Sequence, residues 1–119
     1  MSECRNKTVL FAFQGNPMCF VHVLLNALDL HERGREGKIV IEGEAVTLIP
    51  EISLDSHFLH ALYAKTKGLG LIDAVCLACA TKLGALDDVK FEKLPLVDDM
   101  DGHPSMGRYL DEGYEIITF

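Results

Sequence analysis

The sequence predicts an α/β protein, a three-layer α/β/α sandwich around a mainly parallel sheet of four or five strands. Short apolar runs rich in β-forming residues alternate with longer segments whose apolar residues recur every three or four positions. The chain of 119 residues fits one domain, and no repeat, low-complexity stretch or linker divides it. We therefore expect a single domain over residues 1–119.

The first part of the chain predicts a strand, a helix and a second strand. Residues 8–13 form a continuous apolar run that is too short for a helix, which indicates a strand covered on both faces. Pro17 suits the first turn of the following helix, which stops near Gly34. Its apolar positions at helical spacing are Met18, Val21, Leu25 and Leu28. Residues 38–42, between two glycines, predict the second strand.

The middle of the chain predicts a helix and a third strand. Residues 45–49 form a brief element of undetermined type. Ser53 and Asp55 offer caps for a helix that Gly68 and Gly70 end. Its spaced apolar residues are Leu54, Phe58 and Leu62. Residues 71–75 predict a buried strand, directly followed by a helix over residues 77–83.

The last part of the chain predicts one helix and one strand after an irregular segment. Residues 85–101 are acidic, and we expect an irregular segment with a short strand at residues 94–97. A helix is predicted over residues 104–112, with Gly113 as its C-cap, and a final strand over residues 114–119. Functional groups in such sheets gather beyond the carboxyl ends of the strands. This rule selects residues 14–19, residues 76–79 and the loop that ends at His103.

Composition limits the classes of partner and the cellular location that we expect for this protein. The net charge is −7, from 18 acidic and 11 basic residues, which argues against nucleic acid or an anionic membrane as partner. A hydrophobic content of 49% is more than a small monomer needs, so we expect a homo-oligomer. No signal peptide or membrane span is predicted, and we expect a cytoplasmic protein. The four cysteines are then expected as thiols, metal ligands or redox groups.

The segment Cys76-Leu77-Ala78-Cys79 carries the strongest chemical signal. At the start of a helix, Cys76 lies near unpaired N–H groups that favour a thiolate, and Cys79 follows one turn later. This spacing indicates a sulfur nucleophile with a second thiol beside it. Alternatively, both cysteines are small apolar residues that fill a contact between helix and sheet. A zinc site is a third interpretation, in which Cys19 or His22 supplies the missing ligands.

The remaining histidines and loops have simpler interpretations. His57 and His60 are three residues apart and would share a helix face, solvated or at an interface. His103 precedes a helix, where a polar side chain often caps, although its loop could bring it to a neighbouring site. Neither GxGxxG nor GxxxxGK[ST] occurs, so nucleotide binding has no support and no cofactor is expected.

Residues 72–84 resemble the cysteine region of the DsrE/DsrF-like sulfur-relay proteins, and residues 102–119 resemble that family's closing helix and strand. The resemblance implies a small cytoplasmic α/β protein that assembles as a trimer or hexamer. It also implies that Cys76, the cysteine directly after the third strand, carries a persulfide. Sulfur donor and acceptor proteins would be its partners, and sulfurtransferase activity its reaction.

Two further hypotheses accompany the sulfur carrier. In the carrier, Cys79 would act as a resolving thiol that can attack the Cys76 persulfide and release sulfide. The alternative is a non-enzymatic oligomeric module whose CxxC and histidine side chains bind a metal or a small ligand. A dithiol redox protein is the third possibility. From the sequence we assign Cys76 and Cys79 as site residues and assign no metal ligands.

Overall fold

The computed structural model describes residues 6–119, which form one five-stranded sheet with helices around it. The strands are β1 (Lys7–Ala12), β2 (Glu36–Ile41), β3 (Ile72–Cys76), β4 (Leu96–Val97) and β5 (Glu115–Thr118). Their order across the sheet is β4-β3-β2-β1-β5, and every neighbouring pair is parallel. The predicted α/β class and parallel sheet are confirmed.

Six α-helices and one short 3₁₀ helix connect the strands of residues 6–119. They are α1 (Pro17–Glu32), α2 (Ile49–Ile52), α3 (His60–Gly68), α4 (Leu77–Lys82), α5 (Leu86–Phe91) and α6 (Met106–Asp111), with the 3₁₀ helix at Gly43–Leu48. Asn16 caps α1, because its side chain accepts a hydrogen bond of 2.8 Å from the Met18 N–H. Across these residues, every helix is too short or too polar to pass through a lipid bilayer.

The strand order explains which loops meet. The chain runs outward from β1 through β2 and β3 to β4, and then returns to place β5 on the other side of β1. Because all neighbouring strands are parallel, the carboxyl ends of β2 and β3 lie side by side at one edge of the sheet. Ile39 pairs with Ile72 and Val40 with Ala74, so Asp73 is an extra residue in β3.

The two faces of the sheet are covered unequally. The larger hydrophobic cluster joins one face to α1, α3, α4, α5 and the 3₁₀ segment, with Leu10, Ile39 and Val75 among its strand residues. The smaller cluster covers the other face and takes its helical residues from α6. Its buried members are Val9, Phe11, Val40, Ala74, Tyr109 and Tyr114.

The predicted helix after Ser53 begins later than expected. Residues 53–59 form turns, and α3 starts at His60 with no side-chain cap, so the capping roles of Ser53 and Asp55 are wrong. His57 Nδ1 accepts the Leu59 N–H at 3.1 Å, a local bond that competes with helix formation. Leu54 and Phe58 are exposed rather than buried, so their helical spacing did not mark a core face. His57 therefore lies outside the helix that begins at His60.

The segment expected to be irregular contains a helix. Residues 86–91 form α5, which is held to the larger cluster by the fully buried Val89. Asp87 and Asp88, two acidic residues of this segment, lie in the first turn of α5, where negative charge favours a helix. The short strand expected at residues 94–97 is present as β4. The element of undetermined type at residues 45–49 belongs to the 3₁₀ helix and the start of α2.

Candidate functional site

Cys76 ends β3 and is the N-cap residue of α4. Its Sγ accepts a hydrogen bond of 3.2 Å from the Cys79 N–H. The strand-to-helix junction predicted for this cysteine is therefore present. The residue is 0% exposed, although the resemblance implies that Cys76 exchanges sulfur with partner proteins.

Cys79 lies one turn into α4, with its Sγ 2.8 Å from that of Cys76, and both cysteines are free thiols. Its Sγ also accepts a hydrogen bond of 3.3 Å from the Gly43 N–H. Cys79 is partly exposed and lies in a surface depression of about 290 Å³. The depression is lined by Ala78, Cys79, Lys82, Leu83 and His103. Of the two cysteines, Cys79 is therefore the one that reaches the surface.

His103 and Glu42 complete a cluster with the two thiols. His103 Nδ1 lies 3.2 Å from the Sγ of Cys76, 3.7 Å from the Sγ of Cys79 and 3.3 Å from Glu42 Oε2. One ligand atom from each of the four residues lies within 4.8 Å of the other three. The loop that ends at His103 thus reaches the cysteines, and Ser105 rather than His103 caps α6.

Glu42 is the member of the cluster that the sequence pattern did not reveal. It directly follows β2, and its N–H donates to the carbonyl of Ala12 at 2.9 Å. Gly43 then turns the chain with a φ of +59°, so that its own N–H is directed at Cys79. The rule that selected the ends of the first and third strands would have selected Glu42, had it been applied to the second strand.

Backbone contacts fix the loop that carries His103. Met100 and His103 exchange two backbone hydrogen bonds of 2.8 and 2.9 Å, and the Gly102 carbonyl accepts the Ala78 N–H at 2.9 Å. Gly102 has a φ of +91°, and a Cβ built there would lie 2.9 Å from the Cβ of Ala78. Only glycine lets this loop lie directly against the start of α4.

Burial opposes negative charge at the site. It raises the pKa of the Cys76 thiol to about 12, and the hydrogen bond to Cys79 contributes to the rise. Burial also raises the pKa of the Glu42 carboxyl, an effect that the neighbouring His103 reduces. The expectation that the start of the helix holds Cys76 as a thiolate is therefore wrong in direction, because desolvation outweighs a helix of six residues.

Other candidate residues lie apart from this cluster. Cys19 and His22 are exposed on α1 and do not belong to it, contrary to their suggested role as ligands. His57 and His60 are also outside it. Cys4 lies outside the described residues. The cluster combines nucleophilic sulfur, an imidazole and a carboxylate, which suits thiol chemistry or metal coordination.

Comparisons with known proteins identify relatives without a described function. No protein-family model matches the chain. The uncharacterized protein MJ0733 of Methanocaldococcus jannaschii is 39% identical over 104 residues, which covers 87% of this chain and 83% of that protein. An uncharacterized protein of Archaeoglobus fulgidus is 46% identical over 44 residues, which covers 37% of this chain and 70% of that protein.

A solved structure has a similar fold. It is a conserved protein of unknown function, BT1422 from Bacteroides thetaiotaomicron, with a TM-score of 0.70. The match covers 96% of this chain and 95% of that one at 18% sequence identity. A likeness at this level of identity concerns the fold alone.

Proposed function

We propose that this chain, which belongs to the same family as MJ0733 of Methanocaldococcus jannaschii, is a sulfur carrier that works through Cys76 and Cys79. The observation that carries the proposal is the distance of 2.8 Å between the two sulfurs, one buried and the other beside a surface depression. The resemblance of residues 72–84 to the cysteine region of sulfur-relay proteins supports the same function.

Exposure favours Cys79 as the thiol that takes up sulfur. In the loading step, the Cys79 sulfur attacks the outer sulfur of a donor persulfide. The new S–S bond forms on Cys79, the S–S bond of the donor breaks, and the donor leaves as a thiol after taking up a proton. His103 Nδ1, 3.7 Å from the Cys79 Sγ, is placed to accept the proton that Cys79 loses. The persulfide role that the resemblance gives to Cys76 thus passes to Cys79.

Cys76 acts in this proposal as the resolving thiol. Its attack on the Sγ of the Cys79 persulfide would break the bond to the outer sulfur, release sulfide and leave a Cys76–Cys79 disulfide that an external thiol must reduce. Because burial raises the pKa of Cys76 to about 12, this thiol stays protonated and attacks slowly. Slow attack by Cys76 would favour transfer of the Cys79 sulfur to an acceptor thiol over release of sulfide.

The proposed partners are a sulfur donor protein and a sulfur acceptor protein. Transfer between them would make this chain a sulfurtransferase. The cytoplasmic location and the assembly as a trimer or hexamer belong to the same proposal, because the resemblance and the apolar content are their support. An acceptor would approach the depression beside Cys79, since this is where Cys79 reaches the surface.

Intact-mass spectrometry after treatment with glutathione persulfide tests the carrier. The experiment uses a background in which Cys4 and Cys19 are replaced by serine, so that only Cys76 and Cys79 remain. We expect this protein to gain one sulfur atom, and Cys79→Ser to gain none. Cys76→Ser should gain the sulfur and keep it longer than the two-cysteine protein does, because no resolving thiol is left.

Sulfide release provides the matching control. The two-cysteine protein should release sulfide slowly after loading, and Cys76→Ser should release none beyond the buffer rate. If Cys79→Ser gains sulfur as readily as the two-cysteine protein, the entry role of Cys79 is wrong. If neither single variant nor the two-cysteine protein gains sulfur, the carrier proposal itself fails.

A further inference from the structure

We propose that Glu42, Cys76, Cys79 and His103 form a four-coordinate site for Zn²⁺. The inference goes beyond sulfur transfer, because it uses the Glu42 carboxylate, which the carrier proposal does not need. It also differs from the zinc interpretation of the sequence, in which Cys19 or His22 would have supplied ligands. Both of those residues lie on the exposed side of α1.

The donor set suits zinc. Two sulfurs, one imidazole nitrogen and one carboxylate oxygen are ligand types that zinc accepts in tetrahedral sites. Hard cations such as Mg²⁺ and Ca²⁺ prefer oxygen ligands, so the two sulfurs disfavour them. The Glu42 side chain is 13% exposed and that of His103 is 40% exposed, which leaves an entry path from the surface.

The distances are close to those of a tetrahedral site. Around zinc, bond lengths of about 2.3 Å to sulfur and about 2.0 Å to nitrogen and oxygen place two sulfurs about 3.8 Å apart, sulfur and nitrogen about 3.5 Å, and nitrogen and oxygen about 3.3 Å. The nitrogen-to-sulfur distances are 3.2 and 3.7 Å, and the nitrogen-to-oxygen distance is 3.3 Å. Of these pairs, the two sulfurs, at 2.8 Å, must open by about 1 Å to match this geometry, and the Glu42 carboxylate lies within 4.8 Å of both sulfurs.

A single histidine nitrogen faces all three partners. His103 Nδ1 lies near both sulfurs and near the Glu42 carboxylate. A histidine that relays a proton from a thiol to an orienting carboxylate uses one ring nitrogen for each. Donor atoms that converge on one point are instead the arrangement of ligands around an ion. The geometry therefore favours coordination by Glu42 over a catalytic triad.

The backbone around the cluster holds these ligands in place. The Gly43 N–H donates to the Sγ of Cys79 at 3.3 Å, and the Cys79 N–H donates to the Sγ of Cys76 at 3.2 Å. Such bonds orient ligands and stabilise sulfur in its metal-binding form. The Ala78 N–H bond to the Gly102 carbonyl fixes the loop of His103 against α4. The backbone that carries the proposed ligands is therefore held by hydrogen bonds before an ion binds.

Zinc and carried sulfur exclude each other at this site. A bound ion would engage the lone pairs of both sulfurs, so neither could attack a persulfide. Zinc binding would therefore block the reaction of Cys79 with a persulfide donor. A zinc-loaded protein should gain sulfur only after a chelator has removed the ion.

Titration of the metal-free, reduced protein lacking Cys4 and Cys19 tests the site. Cobalt serves as a spectroscopic probe for zinc, and a chromophoric chelator in competition measures the affinity for zinc itself. We expect one ion per chain, with a sulfur-to-cobalt band that weakens in Cys79→Ser. Glu42→Gln and His103→Ala should each lower zinc affinity by more than the roughly 10- to 100-fold typical of losing an outer-shell partner.

Matched controls distinguish this site from zinc binding elsewhere on the chain and from sulfur loading. His22→Ala, on the exposed side of α1, should leave zinc affinity unchanged. Cys76→Ser keeps Cys79, so it should still gain sulfur from a persulfide donor while binding zinc weakly. Failure of zinc binding thus leaves the carrier proposal standing, and failure of sulfur loading leaves the zinc site standing.

Two results would overturn the zinc site. One is a metal-free protein that binds neither cobalt nor zinc beyond the affinity of the Cys76→Ser/Cys79→Ser variant. The other is an affinity that stays undiminished in both Glu42→Gln and His103→Ala, because the two thiols alone would then account for binding. If only His103→Ala weakens binding, Glu42 is not a ligand and the proposed four-coordinate site fails as well.

Discussion

Cys76 and Cys79 belong to the same CxxC motif, but their surroundings differ. Cys76 is enclosed where β3 meets α4, and its thiol is stabilised in the protonated form by burial. Cys79 is a turn further on and reaches the depression beside His103. Cys79 is partly exposed and Cys76 is enclosed, so we expect the two thiols to differ in reactivity although their sulfurs are 2.8 Å apart.

The two thiols should differ in their rates of alkylation. In metal-free, reduced protein at pH 8, a pKa of about 12 leaves roughly one Cys76 thiol in ten thousand ionised. We expect iodoacetamide to modify Cys79 first, and the rate at Cys76 to keep rising with pH through pH 10. Peptide mass spectrometry over time measures both rates. In urea the rates should converge, and equal rates in the folded protein would contradict the burial of Cys76.

At the scale of elements, three connections build the site. Glu42 follows β2, the cysteines lie on the junction of β3 and α4, and His103 lies on the loop between β4 and α6. The first two positions follow from parallel strands that end at one edge. The third depends on Gly102, whose positive φ lets the loop contact Ala78.

Replacement of Gly102 should therefore cost more than replacement of a comparable glycine. Gly113 has a φ of +89°, similar to the +91° of Gly102, but a Cβ there would have no heavy atom within 4 Å. We expect Gly102→Ala to lower the free energy of unfolding by about 1–3 kcal/mol more than Gly113→Ala, because its methyl group clashes with α4. Urea denaturation of both variants measures the difference. Equal losses would show that the loop tolerates the added methyl group.

The sequence predicted an element correctly where the spacing of its apolar residues and the signals at its ends agree. The junction at Cys76 could be predicted because an apolar run passes directly into a helical segment. The late start of α3 could not, because Leu54 and Phe58 have helical spacing but pack against nothing that buries them. Helix α5 was not predicted because most of its residues are charged or exposed and Val89 is its one buried residue, so no apolar spacing indicates a helix. The proximity of Glu42 to His103 depends on tertiary contacts that spacing along the chain does not encode.

Across the whole molecule, three buried tyrosines each donate a hydrogen bond to a carboxylate. Tyr63 bonds Glu92, Tyr109 bonds Asp73 and Tyr114 bonds Glu36. Burial is the largest cause that raises the pKa of each tyrosine, and the negative partner raises it further. They are distributed over both sides of the sheet, so their protonation bears on the stability of the entire fold.

Alkaline pH should therefore destabilise the protein. A tyrosine whose pKa is higher in the folded chain contributes stability below its unfolded pKa of about 10, and this contribution is lost as pH rises toward the folded pKa. We expect the free energy of unfolding to fall with each pH step above 10, as measured by urea denaturation. Tyr109→Phe removes one of the three groups and should make the decline shallower. A decline of the same slope in that variant would exclude Tyr109 as a contributor.

The two faces of the sheet are covered unequally, and this should affect how the group of Glu42, Cys76, Cys79 and His103 opens. Cys79 packs against the larger cluster, whereas His103 lies on the segment that leads into α6, the helix of the smaller cluster. Segments with fewer apolar contacts open more often than the rest of a protein. Transient opening of the C-terminal quarter would withdraw the imidazole from Cys79, and hydrogen exchange in α6 should report how often this opening occurs.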